Sequence, residues 1–397
     1  MTRLPFLDWM RGLAVVIMIQ CHVFNSYTRL ELRQNGLYVW TQFIGGMAAP
    51  LFLFMAGMTS GFQMDRLDRS SKRRSERWFT ALKRAGYIVS IAYLFRFTSW
   101  VGSLPNPNMQ DFLKVDILNC MGLAMVVFSV AAVFDWRWRI ACATAAAFIV
   151  AAASPLMSAV DWSGLPLVAR YYLVPGPDHT QFALFPCAAY LGFGIAAGGI
   201  VKRAASADDQ SKLSRLMCWL APAGVALTFG VRYLANRPFS IYRHADFWRT
   251  SPALILIRLG IILLLLTGAY LWTTLRNTAR WSWMETLGKT SLLVYWVHVM
   301  LVYGAVSATI KRSLTPRGSA AATIVVILMM LALAHTRLRL KGKSLGLAGR
   351  FYPAAQSFRY APRLGDATAR SVGRLGIEDL AKGADARFVE FRDKSFQ

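Results

Sequence analysis

The sequence predicts an all-α polytopic integral membrane helix bundle of about ten transmembrane helices with both termini cytoplasmic, and three observations lead there. Hydrophobic residues make up 55% of the 397-residue chain and charged residues only 16%. The charges are concentrated between long apolar runs, a distribution unlike the evenly charged surface of a soluble globule. The run from Ser251 to Trp272 supplies the ~20 residues with which one helix crosses hydrocarbon while satisfying its own backbone polar groups. Turn-forming residues separate such runs at Pro105 and Pro107, Pro175-Gly176-Pro177, Arg237-Pro238 and Thr315-Pro316-Arg317-Gly318.

In chain order, apolar windows place spans near 4–25, 39–63, 79–100, 116–134, 140–158, 182–201, 215–235, 253–274, 289–310 and 320–338. The first is read as a span and not as a signal peptide, because Asp8 precedes the apolar stretch and no small-residue cleavage site follows His22. No internal repeat and no second folded domain is visible. The expected organisation is a transmembrane domain over 1–338 and a basic, partly disordered cytoplasmic tail over 339–397. Arg337, Arg339, Lys341 and Lys343 open that tail and suit an anionic leaflet.

Orientation follows from the loops. Those holding Arg66 to Arg77, Arg137 and Arg139, Lys202 to Arg215, and Arg276 to Lys289 carry more cations than the alternate set, so they are expected on the cytoplasmic side. This implies a multi-pass protein of the cytoplasmic (inner) membrane. The formal net charge of +25 sits in short loops and in the tail, beside spans, so the lipid bilayer is the expected partner and nucleic acid is not. The five cysteines are scattered, with no CxxC pair and no histidine spacing suited to zinc. They read as small core residues, without a metal site or a disulfide framework.

The first span places Asp8, Arg11 and His22 in one membrane helix. Ionisable groups there are expensive and usually functional. At about 100° per residue, Arg11 lies roughly 60° from Asp8 and His22 roughly 20° from Arg11, so the three share one face. Asp8 and Arg11 are spaced to pair near the cytoplasmic boundary. His22 is ~21 Å further along than Asp8, close to the opposite boundary. A purely structural alternative makes the first two a buried ion pair and His22 an interhelical hydrogen bond.

The run Arg3-x4-Asp8-x2-Arg11-Gly12-x-Ala14, followed by His22, resembles the opening of the heparan-α-glucosaminide N-acetyltransferase catalytic domain and its bacterial relatives, within the wider transmembrane acyltransferase superfamily. Three later stretches agree with the resemblance: Ala49 to Gly57, Phe182 to Gly192, and the G-x-x-S-x-x-x-Y-x-x-H run from Gly288 to His298. In one respect the chain departs. The human-type enzyme has Asn where this chain has His22, and its proposed catalytic histidine falls about three turns later, near Arg33 here.

The resemblance implies an enzyme that moves an acyl group, expected to be acetyl, from cytoplasmic acyl-CoA to a glycan or small-molecule acceptor on the outer face. No permanently bound cofactor is implied; acetyl-CoA is a co-substrate. Arg11, Lys83 and Arg84 are the candidates for neutralising its phosphates, with positive-inside anchoring the plain alternative for Lys83 and Arg84. His22 would be the general base or an acyl-carrying nucleophile, with Asp8 on the same face. His298, with Tyr295 one turn earlier, could orient the acceptor or serve as a core hydrogen-bonding residue. Asp116 and Asn119 could hydrogen-bond an acceptor, or Asp116 could cap its helix. Arg96 and Arg258 are expected to line the cavity or to pair with acids there. His179 reads as a loop residue, His244 and His335 as boundary residues. A homodimer is a further expected partner. The rival readings are a transporter, which lacks the usual repeat symmetry here, and a non-catalytic scaffold, which leaves the face of Asp8, Arg11 and His22 unexplained.

Overall fold

A computed structural model describes residues 4–34, 36–70, 72–102, 109–176, 182–206, 210–236, 242, 246–276 and 281–351. The chain divides into two compact units, 1–340 and 341–397. Apart from the end of α15, all that follows concerns the first.

Pro5 at its start and Asp8 in its first turn favour helix α1 (Pro5–Tyr27), since proline forgoes an N–H that has no partner there and a carboxylate suits the positive end of the dipole. Helices α2 (Gly36–Gly45) and α3 (Ala48–Asp68) together make one apolar path, followed by α4 (Arg74–Val101) and the short α5 (Met109–Leu113). A capping box opens α6 (Ile117–Phe128): Asp116 accepts from the Leu118 and Asn119 N–H groups while the Asn119 side chain reaches back. There follow α7 (Trp136–Ala159), α8 (Leu167–Leu173), α9 (Leu184–Ser206), α10 (Gln210–Val225), α11 (Val231–Ala235) and α12 (Pro252–Leu275). The chain continues with α13 (Trp283–Lys289), α14 (Ser291–Tyr303) and α15 (Pro316–Phe351).

Among the described residues, seven helical stretches are long and apolar enough to cross a membrane, and 117–133 and 291–303 are shorter apolar helices. The expected span at 79–100 lies within α4. The chain is an all-α polytopic membrane bundle. Large apolar side chains such as Trp138, Ile149, Trp219, Phe229 and Leu275 point outward, an arrangement that lipid solvates and water would not. Inside, α1 packs against α2, α3, α12, α13 and α14. Met10, Ala14, Val15 and Ile19 are fully buried there.

Helices α3 and α9 pack closely along their length, where Gly57 and Gly61 face Gly194 and Gly198 and a Cβ on any of them would collide with the opposing backbone. Small residues allow such contact, which replaces the hydrophobic drive that lipid does not provide. At one end of this pair, Asp68 binds both Arg77 of α4 (2.6 Å) and the fully buried Arg139 of α7, and so ties three helices through one carboxylate.

The expected continuous span over 289–310 is broken. Helix α13 ends at Lys289, Thr290 adopts a non-helical conformation (φ −119°, ψ 18°), and α14 ends at Tyr303. The break adjoins a close contact with α1. A Cβ on Gly288 would strike the Asp8 carbonyl, and one on Gly12 the Met284 carbonyl, so the two backbones touch here as those of α3 and α9 do.

Candidate active site

Helical periodicity brings Asp8, Arg11 and His22 to one side of α1, and that side looks into the bundle. Arg11 Nη1 donates to Asp8 Oδ1 at 3.2 Å, and the carboxylate is 2% exposed. The i, i+3 pair expected from the sequence is therefore formed, with the guanidinium aimed toward a cavity of about 250 Å³.

That cavity lies among α1, α3, α4, α6 and α14. Arg11, Arg84, Thr59 and Ser291 contribute its polar wall, and Met55, Ile88, Met121, Met125 and Leu292 much of its apolar wall. Arg84 is held in place from α3: its Nη1 donates to Gln63 Oε1 at 2.6 Å and to the Thr59 carbonyl at 3.2 Å. Two guanidinium groups thus share one apolar cavity. Lys83, one residue earlier, is exposed on another face of α4, with its ammonium 4.8 Å above the Phe79 ring, and does not line the cavity.

Eleven residues beyond Arg11, His22 meets His298. The Nδ1 of His22 and Nε2 of His298 are 3.0 Å apart. The ring planes differ by 11° while the centroids are 5.2 Å apart, longer than the N···N distance by about a ring diameter. The imidazoles therefore meet edge to edge, nearly in one plane, along a ring-nitrogen lone pair. This is a hydrogen bond, not a stack.

Donor counting then orders the protons. His298 Nδ1 lies 2.7 Å from the Val294 carbonyl, which can only accept, so Nδ1 carries hydrogen. In the neutral ring its Nε2 is then an acceptor, and His22 Nδ1 must donate to it. His22 Nε2 is left with a lone pair and no proton, the state a general base needs. His298 is fully buried, whereas His22 is partly accessible and stands beside the Tyr303 ring (5.4 Å between centroids). Tyr295 lines the cavity and lies 6.0 Å, ring to ring, from His298, so the cavity wall abuts the histidine pair.

Asp116 and Asn119 are built into the wall of the bundle. Besides capping α6, Asp116 pairs with Arg96 Nε (3.2 Å), which gives Arg96 the acidic partner expected of it. Asn119 donates to the Tyr172 hydroxyl (3.1 Å), which in turn meets the Tyr93 hydroxyl (2.9 Å). Arg258 lies against Gly46 at the bend between α2 and α3 and donates to the Tyr190 hydroxyl. His335 faces the Trp281 ring, and His179 and His244 lie outside the described residues. Sequence reasoning missed Thr59, Gln63 and Tyr172. The first two are ordinary polar residues that matter because α4 brings Arg84 to them, and the last lies on a short helix without a motif.

The loops beyond the histidines are joined to each other. Thr28 pairs with Leu314 in a parallel bridge, Arg312 N donates to the Ser26 carbonyl (3.0 Å), and Ser26 Oγ to the Val302 carbonyl (3.0 Å). The ends of α1 and α14 that carry the pair are therefore fastened together. Arg33 donates to the Asn25 and Thr28 carbonyls.

A family model described as heparan-alpha-glucosaminide N-acetyltransferase, catalytic, matches residues 3–238. No curated protein matches the chain.

Proposed function

Since the chain belongs to the heparan-alpha-glucosaminide N-acetyltransferase catalytic family, a family of transmembrane acyltransferases, we propose that its cavity takes acyl-CoA, most simply acetyl-CoA, from the cytoplasmic side and that His22 passes the acyl group to a hydroxyl or amine acceptor, such as a glycan, on the outer face of the inner membrane. In this reading both termini are cytoplasmic.

The observation that carries the proposal is the spacing of charge and base along α1. Arg11, joined by Arg84, marks one end, and His22 stands eleven residues on, a rise of ~16 Å. From phosphate to sulfur, the pantetheine arm has about 13 bonds and so reaches about 15 Å when extended, at the ~3.3–3.6 Å per three bonds of an extended chain. A phosphate held by the two guanidinium groups would place the thioester at the histidine pair. The apolar wall suits the arm between them, and two arginines suit a pyrophosphate. Asp8 orients Arg11. Lys83 is assigned to the approach from the cytoplasm, Asp116 and Asn119 to the wall facing the acceptor.

His22 Nε2 takes the proton from the acceptor O–H or N–H as the oxygen or nitrogen bonds to the thioester carbonyl carbon. The C–S bond then breaks, sulfur leaves with the electron pair, and His22 returns the proton to the thiolate. His298 keeps the His22 Nδ1–H directed at itself throughout and stabilises the transient imidazolium, a neutral counterpart of the carboxylate in a serine-protease triad.

Acetyl-CoA should raise the thermal stability of the purified protein, by about 2.7 kcal/mol at a hundred times its dissociation constant. Arg11→Ala should weaken that binding by about 1.5–3 kcal/mol. His22→Ala should keep the stabilisation and lose transfer by about 10²–10⁴-fold. A folded His22→Ala protein that transfers acyl groups within a few-fold of wild type would remove His22 as the base.

A further inference from the structure

The five cysteines are scattered through the sequence, and the fold brings two of them together. Cys120 lies in the first turn of α6, and Cys187 in the first turn of α9, just after the non-helical Phe185. The two helices pack against each other, and the two thiols meet between them in a hydrogen bond. The Ala183 carbonyl fixes the meeting point, since it accepts from Cys120 Sγ at 3.4 Å and from the Cys187 backbone N–H at 3.3 Å. Sulfurs in such contact need only a modest side-chain rotation to approach the ~2 Å of a disulfide bond.

The transfer reaction described above uses neither thiol. Their surroundings differ in a way that assigns each a part in different chemistry. Cys187 is partly accessible and has the guanidinium of Arg258, on α12, as a nearby cation. Partial exposure next to positive charge is the setting in which a thiol attacks a disulfide. Cys120 is fully buried, one turn after the Asp116 carboxylate, and meets only a sulfur brought to it.

We propose that Cys120 and Cys187 form a redox-active dithiol, a modification site that a low-molecular-weight disulfide converts into a covalent bond between α6 and α9. Cys187 sulfur attacks one sulfur of the incoming disulfide, a mixed disulfide forms, and the first half leaves as a thiol with the Cys187 proton. Cys120 sulfur then attacks Cys187 sulfur, and the second half leaves as a thiol with the Cys120 proton. Two protein thiols are oxidised and one small disulfide is reduced to two thiols. The bond ties down the helix whose Ile117, Leu118, Met121 and Met125 line the cavity. On the orientation proposed above, both first turns lie at the outer side, where disulfides persist.

The test uses the full-length protein in phosphatidylcholine nanodiscs, reduced with dithiothreitol, freed of it, incubated with oxidised glutathione, blocked with N-ethylmaleimide and digested without reduction. The Cys120 peptide should be recovered joined to the Cys187 peptide, and dithiothreitol should separate them. Cys120→Ser should instead retain one glutathione on Cys187, and Cys187→Ser should leave Cys120 as its maleimide adduct. Recovery of both cysteines as maleimide adducts in the wild type, glutathione retained there on Cys187, or either cysteine joined to Cys21, Cys142 or Cys218 would overturn the proposal. The wild-type result decides it even where a variant fails to fold. Because a nanodisc leaves both faces open to glutathione, the outcome depends neither on the orientation nor on the acyltransferase reading.

Discussion

His22 can accept a proton at Nε2 only while Nδ1 holds one, and His298 is what keeps it there. That dependence separates a positioning role for His298 from simple packing. Replacement by phenylalanine should abolish most transfer while sparing donor binding, whereas His298→Gln, whose amide oxygen can accept from His22 Nδ1, should restore part of the rate. Equal rates in the two variants would reduce His298 to a space-filler. Transfer should also fall as pH falls, because protonation at His22 Nε2 removes the lone pair; a rate flat through the acid range would contradict base catalysis by this ring. The sequence showed both histidines but not their partnership, because 276 residues separate them and nothing in a linear pattern encodes which ring nitrogen faces which. Asp8 and Arg11, by contrast, were legible as a pair, since helical spacing alone decides an i, i+3 contact.

Between elements, the contact of α1 with α13 sets where the polar end of the cavity forms. Gly12 and Gly288 let the two backbones touch, and the break at Thr290 then releases Ser291 to the cavity wall. Gly288→Ala adds one methyl against the Asp8 carbonyl, so it should destabilise the protein by about 1–3 kcal/mol through overpacking. If α13 yields instead, the guanidinium of Arg11 shifts with Asp8, and acetyl-CoA affinity should fall even where stability holds. An unchanged melting temperature together with unchanged acetyl-CoA affinity would show that this contact is not tight in solution. From the sequence the segment read as a single span because Thr290 and Ser291 interrupt the apolar run too briefly to change a hydropathy window. The break appears only in the packed structure, next to the close approach of Gly288 to α1.

For the whole molecule, the basic loops predict which end faces the cytoplasm. A cysteine at Gln34, in the loop after α1, should react with an impermeant thiol reagent on intact cells; one at Lys72, between α3 and α4, should react only after the inner side is opened. Reaction of both from one side would refute the orientation on which the donor and acceptor assignments rest. Fold class needed nothing beyond the sequence, because a bilayer restricts each apolar run of sufficient length to a helix that satisfies its own backbone, and such runs are visible one at a time. The face of Asp8, Arg11 and His22 was legible for the same reason, being a property of one helix. Everything that joins helices was decided by tertiary structure: the histidine pair, the seat of Arg84 on Gln63 and Thr59, the use of Asp116 as a cap and partner of Arg96, and the bridge from Thr28 to Leu314 that fastens the loop after α1 to the one after α14. Those contacts depend on which helices become neighbours and at what rotation, and both are set by small-residue packing and shape between elements distant in sequence.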